Sequence, residues 1–444
     1  MKKVVVMIIG IITLLTCNQK VFAKDTFKTI NKYEEESLEY IIKGYNEENK
    51  SSGLIVAGTY TEKKEEQDTQ IILQKYSEDE KEIWNYNYGN TIDDKLYYLT
   101  YSYSENNTIN GYLLAVEETK DKNDSKETSP LFIKIDLDGK LVEEKLMNLQ
   151  PNTVINKIIE TYDSESKIDG YVVAGYTIKD NKKISIIAKY NLSLDMLWQK
   201  EITDESYDTE LLDIVYLKDN SYRMLISYNN SIENKYKLLN GDSECNITST
   251  IKEDFDSNDT PKLIEIDDYY LVYGYNHNIK LKNDKSTSYY VIKYNRDNQE
   301  EWETIGNTPV NDEKSIELQP LVENKKVTSY LIMTTNDSDL SIEITKIKLD
   351  GVIENKIKKI NNEYYKINKF ISYNDILYFV GQISCPEDDN CDYDMKSLLL
   401  ISTEDKVIEV KEEDNKAIIV ITVSIIVFSV LLYILRKYQK KKKN

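Results

Sequence analysis

The chain has 444 residues, with 57 Lys and Arg against 77 Asp and Glu and a net charge of −20. Such an acidic chain repels phosphate, so nucleic acid is not expected as a partner. One histidine, His277, and three arginines exclude a histidine-rich zinc site, a serine–histidine triad away from His277, and a multi-arginine clamp for phosphate or carboxylate.

The first 23 residues have the pattern of a secretory signal peptide. Lys2 and Lys3 supply the positive start, and the uncharged apolar run Val4–Leu15 is too short to cross a bilayer comfortably. Cleavage is expected after Ala23. An uncleaved N-terminal anchor and a lipid-attachment box ending at Cys17 are the alternatives, although the Thr before that cysteine fits such a box poorly.

A short apolar segment recurs along the middle of the chain. Its copies are GLIVAG (53–58), GYLLAV (111–116), GYVVAG (170–175), SYRMLI (221–226), YYLVYG (269–274), SYLIMT (329–334) and ILYFVG (376–381). A second segment follows each copy. These segments are IILQKYS (71–77), LFIKIDLDG (131–139), SIIAKYN (185–191), KYKLLNG (235–241), YYVIKYN (289–295), ITKIKLDG (344–351) and SLLLIST (397–403).

All three tryptophans of the chain occupy one position of this repeat. Each lies nine residues after a lysine of the second segment, in the pairs Lys75–Trp84, Lys189–Trp198 and Lys293–Trp302. A shared spacing of this kind indicates a structural repeat rather than a chance similarity of apolar segments.

Each unit also has a preceding and a closing segment, which predicts four antiparallel strands in about 50 residues. Units of this size indicate an all-β fold, a seven-bladed β-propeller with four-stranded antiparallel blades over residues 24–412. Six or eight blades, a long β-solenoid and two β-sandwich domains are the alternatives. A sandwich would not repeat at this interval.

The third unit matches a known repeat pattern over 169–175, 188–191 and 197–200, which read DGYVVAG, AKYN and LWQK. In these segments the chain resembles secreted bacterial β-propeller repeat proteins of the quinoprotein-like class. The resemblance covers nearly all of 34–412 and is strong in the first, third and fifth units. It implies a propeller fold and no particular activity. The tryptophans already occupy the repeat position and arginine is nearly absent, which argues against quinone chemistry.

Four long, charged links are expected on one face of the propeller, together with the links between blades. They are Thr61–Thr69, Glu117–Ser129, Asn276–Ser288 and Ser384–Lys396. Because only residues 413–416 separate the last predicted strand from an apolar C-terminal segment, we expect this elaborated face to look toward a membrane or a partner beside it.

The last of these links carries the candidate sites. Cys385 and Cys391 flank PEDDN and can close a disulfide outside the cell, with two free thiols as the alternative. Oxygen-bearing side chains alternate along the same link, which is the spacing that calcium loops use. They are Asp388, Asn390, Asp392 and Asp394. An acidic solvated loop is the other interpretation, because the central Gly and distant Glu of a full calcium loop are absent.

Residues 417–435 are 19 uncharged residues, enough to span the hydrocarbon core as a single transmembrane helix. The basic tail 436–444 is expected to stay in the cytoplasm and to hold anionic lipid head groups. These signals predict a single-pass protein of a bacterial cell membrane with its N-terminal domain outside.

No catalytic constellation stands out in the sequence, and His277 receives no role. The expected function is that of a non-enzymatic extracellular module for binding, adhesion or scaffolding, with a protein or glycan ligand. No cofactor is expected apart from the calcium ion considered above. The alternatives are a carboxylate-dependent hydrolase or lyase acting on glycans or peptides, and an ectodomain subunit of a larger membrane complex.

Overall fold

The computed structural model describes residues 26–30, 35–61, 69–89, 93–122, 125–255, 260–276, 280–281, 284–285, 288–306, 316–323, 325–335, 342–360, 365–374, 376–384 and 395–403. Within these residues the regular elements are all β-strands. They include no helix that is long and apolar enough to cross a membrane. The predicted signal peptide (1–23), linker (413–416), transmembrane helix (417–435) and basic tail (436–444) lie outside the described residues.

The first three repeats supply thirteen strands. These are β1 (Thr26–Ile30), β2 (Glu35–Tyr45), β3 (Ser51–Thr61), β4 (Thr69–Tyr76), β5 (Glu82–Tyr88), β6 (Lys95–Tyr103), β7 (Ile109–Lys122), β8 (Ser125–Asp136), β9 (Leu141–Leu146), β10 (Val154–Tyr162), β11 (Ile168–Lys179), β12 (Lys182–Asn191) and β13 (Met196–Ile202).

The remaining repeats supply the other described strands. These are β14 (Asp208–Leu217), β15 (Ser221–Asn229), β16 (Asn234–Gly241), β17 (Ile247–Lys252), β18 (Lys262–Ile266), β19 (Tyr269–Asn276), β20 (Lys280–Leu281), β21 (Asp284–Lys285), β22 (Ser288–Asn295), β23 (Glu300–Ile305), β24 (Glu317–Glu323), β25 (Lys326–Thr335), β26 (Ile342–Lys348), β27 (Ile353–Ile360), β28 (Tyr365–Tyr373), β29 (Ile376–Ser384) and β30 (Met395–Thr403).

Consecutive strands pair antiparallel into four-stranded sheets, as the repeat predicts. Five sheets have this form: β6–β9, β10–β13, β14–β17, β18-β19-β22-β23 and β24–β27. The short strands β20 and β21 form a separate ribbon within the link between β19 and β22. The all-β propeller with four-stranded antiparallel blades is therefore confirmed.

The prediction of seven blades is wrong, because the described strands form six large sheets. The last repeat does not make a sheet of its own: β28, β29 and β30 continue into β2–β5 as one eight-stranded sheet. The junction is a parallel pairing of Glu35 with Met395, and β1 pairs antiparallel along the same edge of β30. An open strand edge exposes unpaired backbone groups, and here β1 and β2 cover that edge. Counted as continuous sheets, the propeller has six blades.

Burial explains why these segments become strands of a propeller. The second strand of each sheet is apolar without alternation, as in β3, because neighbouring sheets cover both of its faces. The outer strand β5 alternates between exposed and half-buried residues, since one of its faces meets solvent. Each pair of adjacent sheets encloses its own core cluster, such as the one joining Leu73 to Leu114 between the first two sheets.

The tryptophan repeat is confirmed by strand register. Each tryptophan lies opposite its lysine: Lys75 pairs with Trp84, Lys189 with Trp198 and Lys293 with Trp302. The Trp84 indole N–H donates to the Leu137 carbonyl of the next sheet at 3.0 Å. Gly139, which ends that turn at φ 85°, has no room for a side chain, since a Cβ there would lie 2.5 Å from the Trp84 ring. The tryptophan thus fixes one sheet against the next.

Candidate functional site

The innermost strand of each repeat contributes one side chain to a cluster that we call the axial ring. Its members hold one repeat position, because each pairs with the fifth residue of the recurring apolar segment. They are Tyr40, Tyr98, Lys157, Asp213, Lys262, Glu317 and Lys369. In β2, β6, β10, β14 and β28 this residue directly follows a β-bulge, a device that re-aims a side chain.

Two ion pairs hold one part of the axial ring together. The Lys157 ammonium lies 3.1 Å from Asp213, and the Lys262 ammonium lies 2.6 Å from Glu317. Asp213 also accepts a hydrogen bond from the Leu263 backbone N–H at 2.8 Å. Burial would lower the pKa of Lys157, but the Asp213 carboxylate outweighs burial, and the pKa is raised.

Aromatic contacts complete the ring. The Tyr40 and Tyr98 rings meet edge to face with centroids 5.5 Å apart, and the Tyr40 hydroxyl donates to the Tyr97 carbonyl of the next sheet. Lys369 Nζ lies 4.6 Å from the Tyr40 ring centroid and 5.8 Å from that of Tyr98. These contacts close the ring between the last and first repeats.

Lys369 differs from the other two lysines of the ring. Within the described part of the chain, its ammonium has no hydrogen-bond acceptor and no carboxylate within ion-pair distance. Burial lowers its pKa, and the more distant Glu317 carboxylate only partly opposes that effect. Its interactions with the two tyrosine rings are cation–π contacts, which compensate only in part for lost hydration.

A cavity of about 520 Å³ opens beside Lys369, and we call it the loop-face cavity. It lies at the amino-terminal ends of the inner strands, on the face that carries the β3–β4 and β7–β8 links. Its lining is polar throughout. The residues are Ser37, Glu39, Tyr40, Thr59, Lys262, Glu317, Lys366, Asn368, Lys369 and Gln382.

Two carboxyl groups in the loop-face cavity have pKa values shifted in opposite directions. Burial raises the pKa of Glu39, although the Thr59 hydroxyl donates to it at 3.3 Å and Lys366 also favours its charged form. Burial would likewise raise the pKa of Glu317, but Lys262 and Lys369 outweigh it, and the pKa is lowered. The cavity therefore contains one carboxyl group with a raised pKa and one with a lowered pKa.

A smaller cavity of about 240 Å³ lies beyond the axial ring, toward the tight turns of the opposite face. Its carboxyl groups are Glu160, which accepts from the Thr100 hydroxyl at 2.8 Å, and Glu265. Burial raises the pKa of Glu265 to about 8; Lys218 opposes this shift, and the nearby Glu160 adds to it. The two cavities thus present different chemistry at the two ends of one axis.

The site residues singled out from the sequence are not among those that the structure describes. They are Asp388, Asn390, Asp392, Asp394, Cys385, Cys391 and His277. Among the residues that are described, no group of three or more His, Cys, Asp or Glu side chains is arranged to hold a metal ion. Cys245 is a buried free thiol in contact with Met224.

Two further features can be compared with the sequence. Tyrosines of the recurring segments, such as Tyr112 and Tyr171, are fully buried and pack in the core. The predicted link Glu117–Ser129 is instead largely strand, because β7 and β8 continue as a hairpin to the pairing of Lys122 with Ser125.

The sequence matches no known protein family and no curated protein. Several solved structures are similar in shape. Sqt1 of Chaetomium thermophilum has a TM-score of 0.45 at 9% identity, over 85% of this chain and 98% of that chain. An uncharacterized protein of Listeria monocytogenes EGD-e scores 0.42 at 13% identity, over 80% and 92% of the two chains. A putative 6-phosphogluconolactonase of Bacteroides fragilis scores 0.42 at 14% identity, over 79% and 90%. These similarities are too distant to assign a function.

Proposed function

We propose that this protein is a non-enzymatic binding module whose ligand occupies the loop-face cavity. The observation that carries the proposal is a polar cavity of about 520 Å³ with Lys369 at its wall. That volume is typical of sites for small molecules or for one residue of a larger ligand.

Hydrogen bonds between neighbouring inner strands favour a binding site that is already formed in the absence of a ligand. Asn368 donates to the Leu38 carbonyl at 2.7 Å across the junction of the last and first repeats. Asn156 makes the equivalent contact to the Leu211 carbonyl at 2.9 Å. Because these bonds fix the inner strands against one another, little conformational entropy is lost on binding.

Ligand capture from cell extract and a glycan array, both with the purified full-length chain, test the proposal. Gln382→Trp fills part of the cavity from its rim, and Lys140→Trp places the same side chain on an exposed outer turn as the control. The proposal is supported if ligand binding is lost in Gln382→Trp and kept in Lys140→Trp. A ligand retained equally by both variants places binding elsewhere and refutes it.

A carboxylate-dependent hydrolase or lyase is the second candidate function. It is favoured by the opposite pKa shifts of Glu39 and Glu317, the pattern expected of a general acid and its ionised partner. This function would be established if the unmodified chain cleaves glycans or peptides and Glu39→Gln loses that activity while it still binds the ligand. Binding without turnover by the unmodified chain would favour the binding module.

Placement at the outside of a bacterial membrane stays a prediction from the sequence, as does the alternative of a subunit in a larger membrane complex. Fractionation of cells expressing the full-length chain, followed by protease treatment of intact cells, tests the placement. Co-purification with other membrane proteins in mild detergent would favour the complex.

A further inference from the structure

The charges of the axial ring do not balance. Lysine occupies three of its positions, a carboxylate two and tyrosine two. The pairs Lys157–Asp213 and Lys262–Glu317 use both carboxylates. One positive charge, that of Lys369, is left over at the axis.

Lys369 is half-buried, and an ammonium without a counter-charge is costly there because the protein returns only part of the hydration that the charge loses. The other lysines of the ring show how the fold meets this cost, since each has a carboxylate within 3.1 Å or less. Lys369 instead faces the loop-face cavity, whose open side admits solvent and ligands. A counter-charge that the described residues do not supply can therefore come from a ligand.

We propose that the loop-face cavity recognises a small hydroxylated carboxylate, with the ligand carboxylate accepting a hydrogen bond from the Lys369 ammonium. This inference rests on the proposed binding function and specifies its ligand class. The exposed Lys366 lies at the same cavity and supplies a second cation, and Ser37, Thr59 and Gln382 supply hydrogen-bonding groups for hydroxyls.

The charge of the cavity favours one negative charge over two. Three lysines and two carboxyl groups are among the described residues of its lining, so one carboxylate balances the charge of that lining and a phosphate dianion exceeds it. No arginine, the residue whose fork binds phosphate in two-point contacts, is among the described residues of the lining. A ligand with one carboxylate and otherwise neutral hydroxyl groups fits both the charge of the lining and the lack of arginine among its described residues.

Isothermal titration calorimetry of the full-length chain tests the inference with three probes. D-glucuronate carries the carboxylate and the hydroxyls, D-glucose carries the hydroxyls alone, and inorganic phosphate carries the larger charge. We expect glucuronate to bind at least tenfold more tightly than either of the others, as one charge-assisted hydrogen bond contributes about that factor.

Lys369→Met keeps the length of the side chain and removes its charge, and it should weaken glucuronate binding about tenfold or more. Lys140→Met removes one charge from an exposed turn and should leave binding unchanged. Equal affinity for glucuronate and glucose, undiminished binding by Lys369→Met, or no binding of glucuronate at millimolar concentration would each overturn the inference.

The cavity-filling variant separates this inference from the proposed function. If a ligand captured from extract is lost by Gln382→Trp but kept by Lys369→Met, the binding module stands and the carboxylate inference fails. If neither substitution affects capture, both fail.

Discussion

Removing the Lys157 ammonium should destabilise the propeller strongly, because it leaves the Asp213 carboxylate without its counter-ion. The two side chains are only 22% and 8% exposed, and their charged atoms are 3.1 Å apart. Breaking a buried pair from one side costs about 3–5 kcal/mol. In Lys157→Met, Asp213 still accepts hydrogen bonds from the backbone N–H groups of Leu263 and Ile214. We therefore expect the loss of stability to lie near the lower end of this range, at about 3 kcal/mol.

Urea denaturation of the full-length chain, followed by tryptophan fluorescence, measures this loss as a change in the free energy of unfolding. A double-mutant cycle makes the test specific. Asp213→Asn keeps an acceptor for the Leu263 N–H and removes the charge, so Lys157→Met combined with Asp213→Asn should recover much of the stability lost by Lys157→Met alone.

The matched control is the exposed pair of Lys140 and Asp138, 3.8 Å apart with side chains 75% and 69% exposed. Lys140→Met should change the free energy of unfolding by well under about 1 kcal/mol. The reasoning about the ring would be refuted if Lys157→Met cost no more than this control, or if the double variant were as unstable as the sum of the two single ones.

Three other outcomes are expected. Gly139→Ala should destabilise by about 1–3 kcal/mol in urea denaturation, because of its positive φ and the Trp84 ring, whereas Gly44→Ala, with ordinary φ and looser contacts, should cost less. The raised pKa of Glu265, about 8, means that the folded state holds a proton that the unfolded state releases. Stability should therefore fall as pH rises from about 4.5 to 8, and Glu265→Gln should flatten that part of the profile; an unchanged profile would contradict the shift. Burial raises the pKa of the Cys245 thiol to about 12, so the folded chain should resist iodoacetamide at this residue at pH 8 and react once unfolded; rapid labelling of the folded chain would contradict its burial.

The repeated strands could be predicted from the sequence because the residues that define the repeat pack against one another in the fold. The spacing of Lys75 and Trp84 corresponds to one hairpin, and the same spacing in two other repeats reports the same register. The number of sheets could not be predicted in this way. It depends on backbone pairing between Glu35 and Met395, which are far apart in the sequence, and such pairing leaves no signal in the side chains.

The axial ring could not be predicted from the sequence for a different reason. Its positions hold tyrosine, lysine, aspartate or glutamate, so comparison of repeats for shared residue types passes over them. The signal that could have found them is positional: in each inner strand the ring residue stands directly before an apolar residue, as Lys157 does in NKII and Asp213 in LDIV. Choosing that position over its neighbours requires the bulge, which only the strand register reveals.

The pairing of β1 with β30 sets an order of events during biosynthesis. Thr26 finds its partner at Ile401, so the earliest described strand must wait for the last one to be made. Until then the first sheet has an uncovered edge, and contacts between such distant segments form slowly. Before the last repeat is made, the other sheets can form but the first and last repeats cannot pair. The loop-face cavity, which is lined by residues of both, can therefore form only after that repeat has been synthesised.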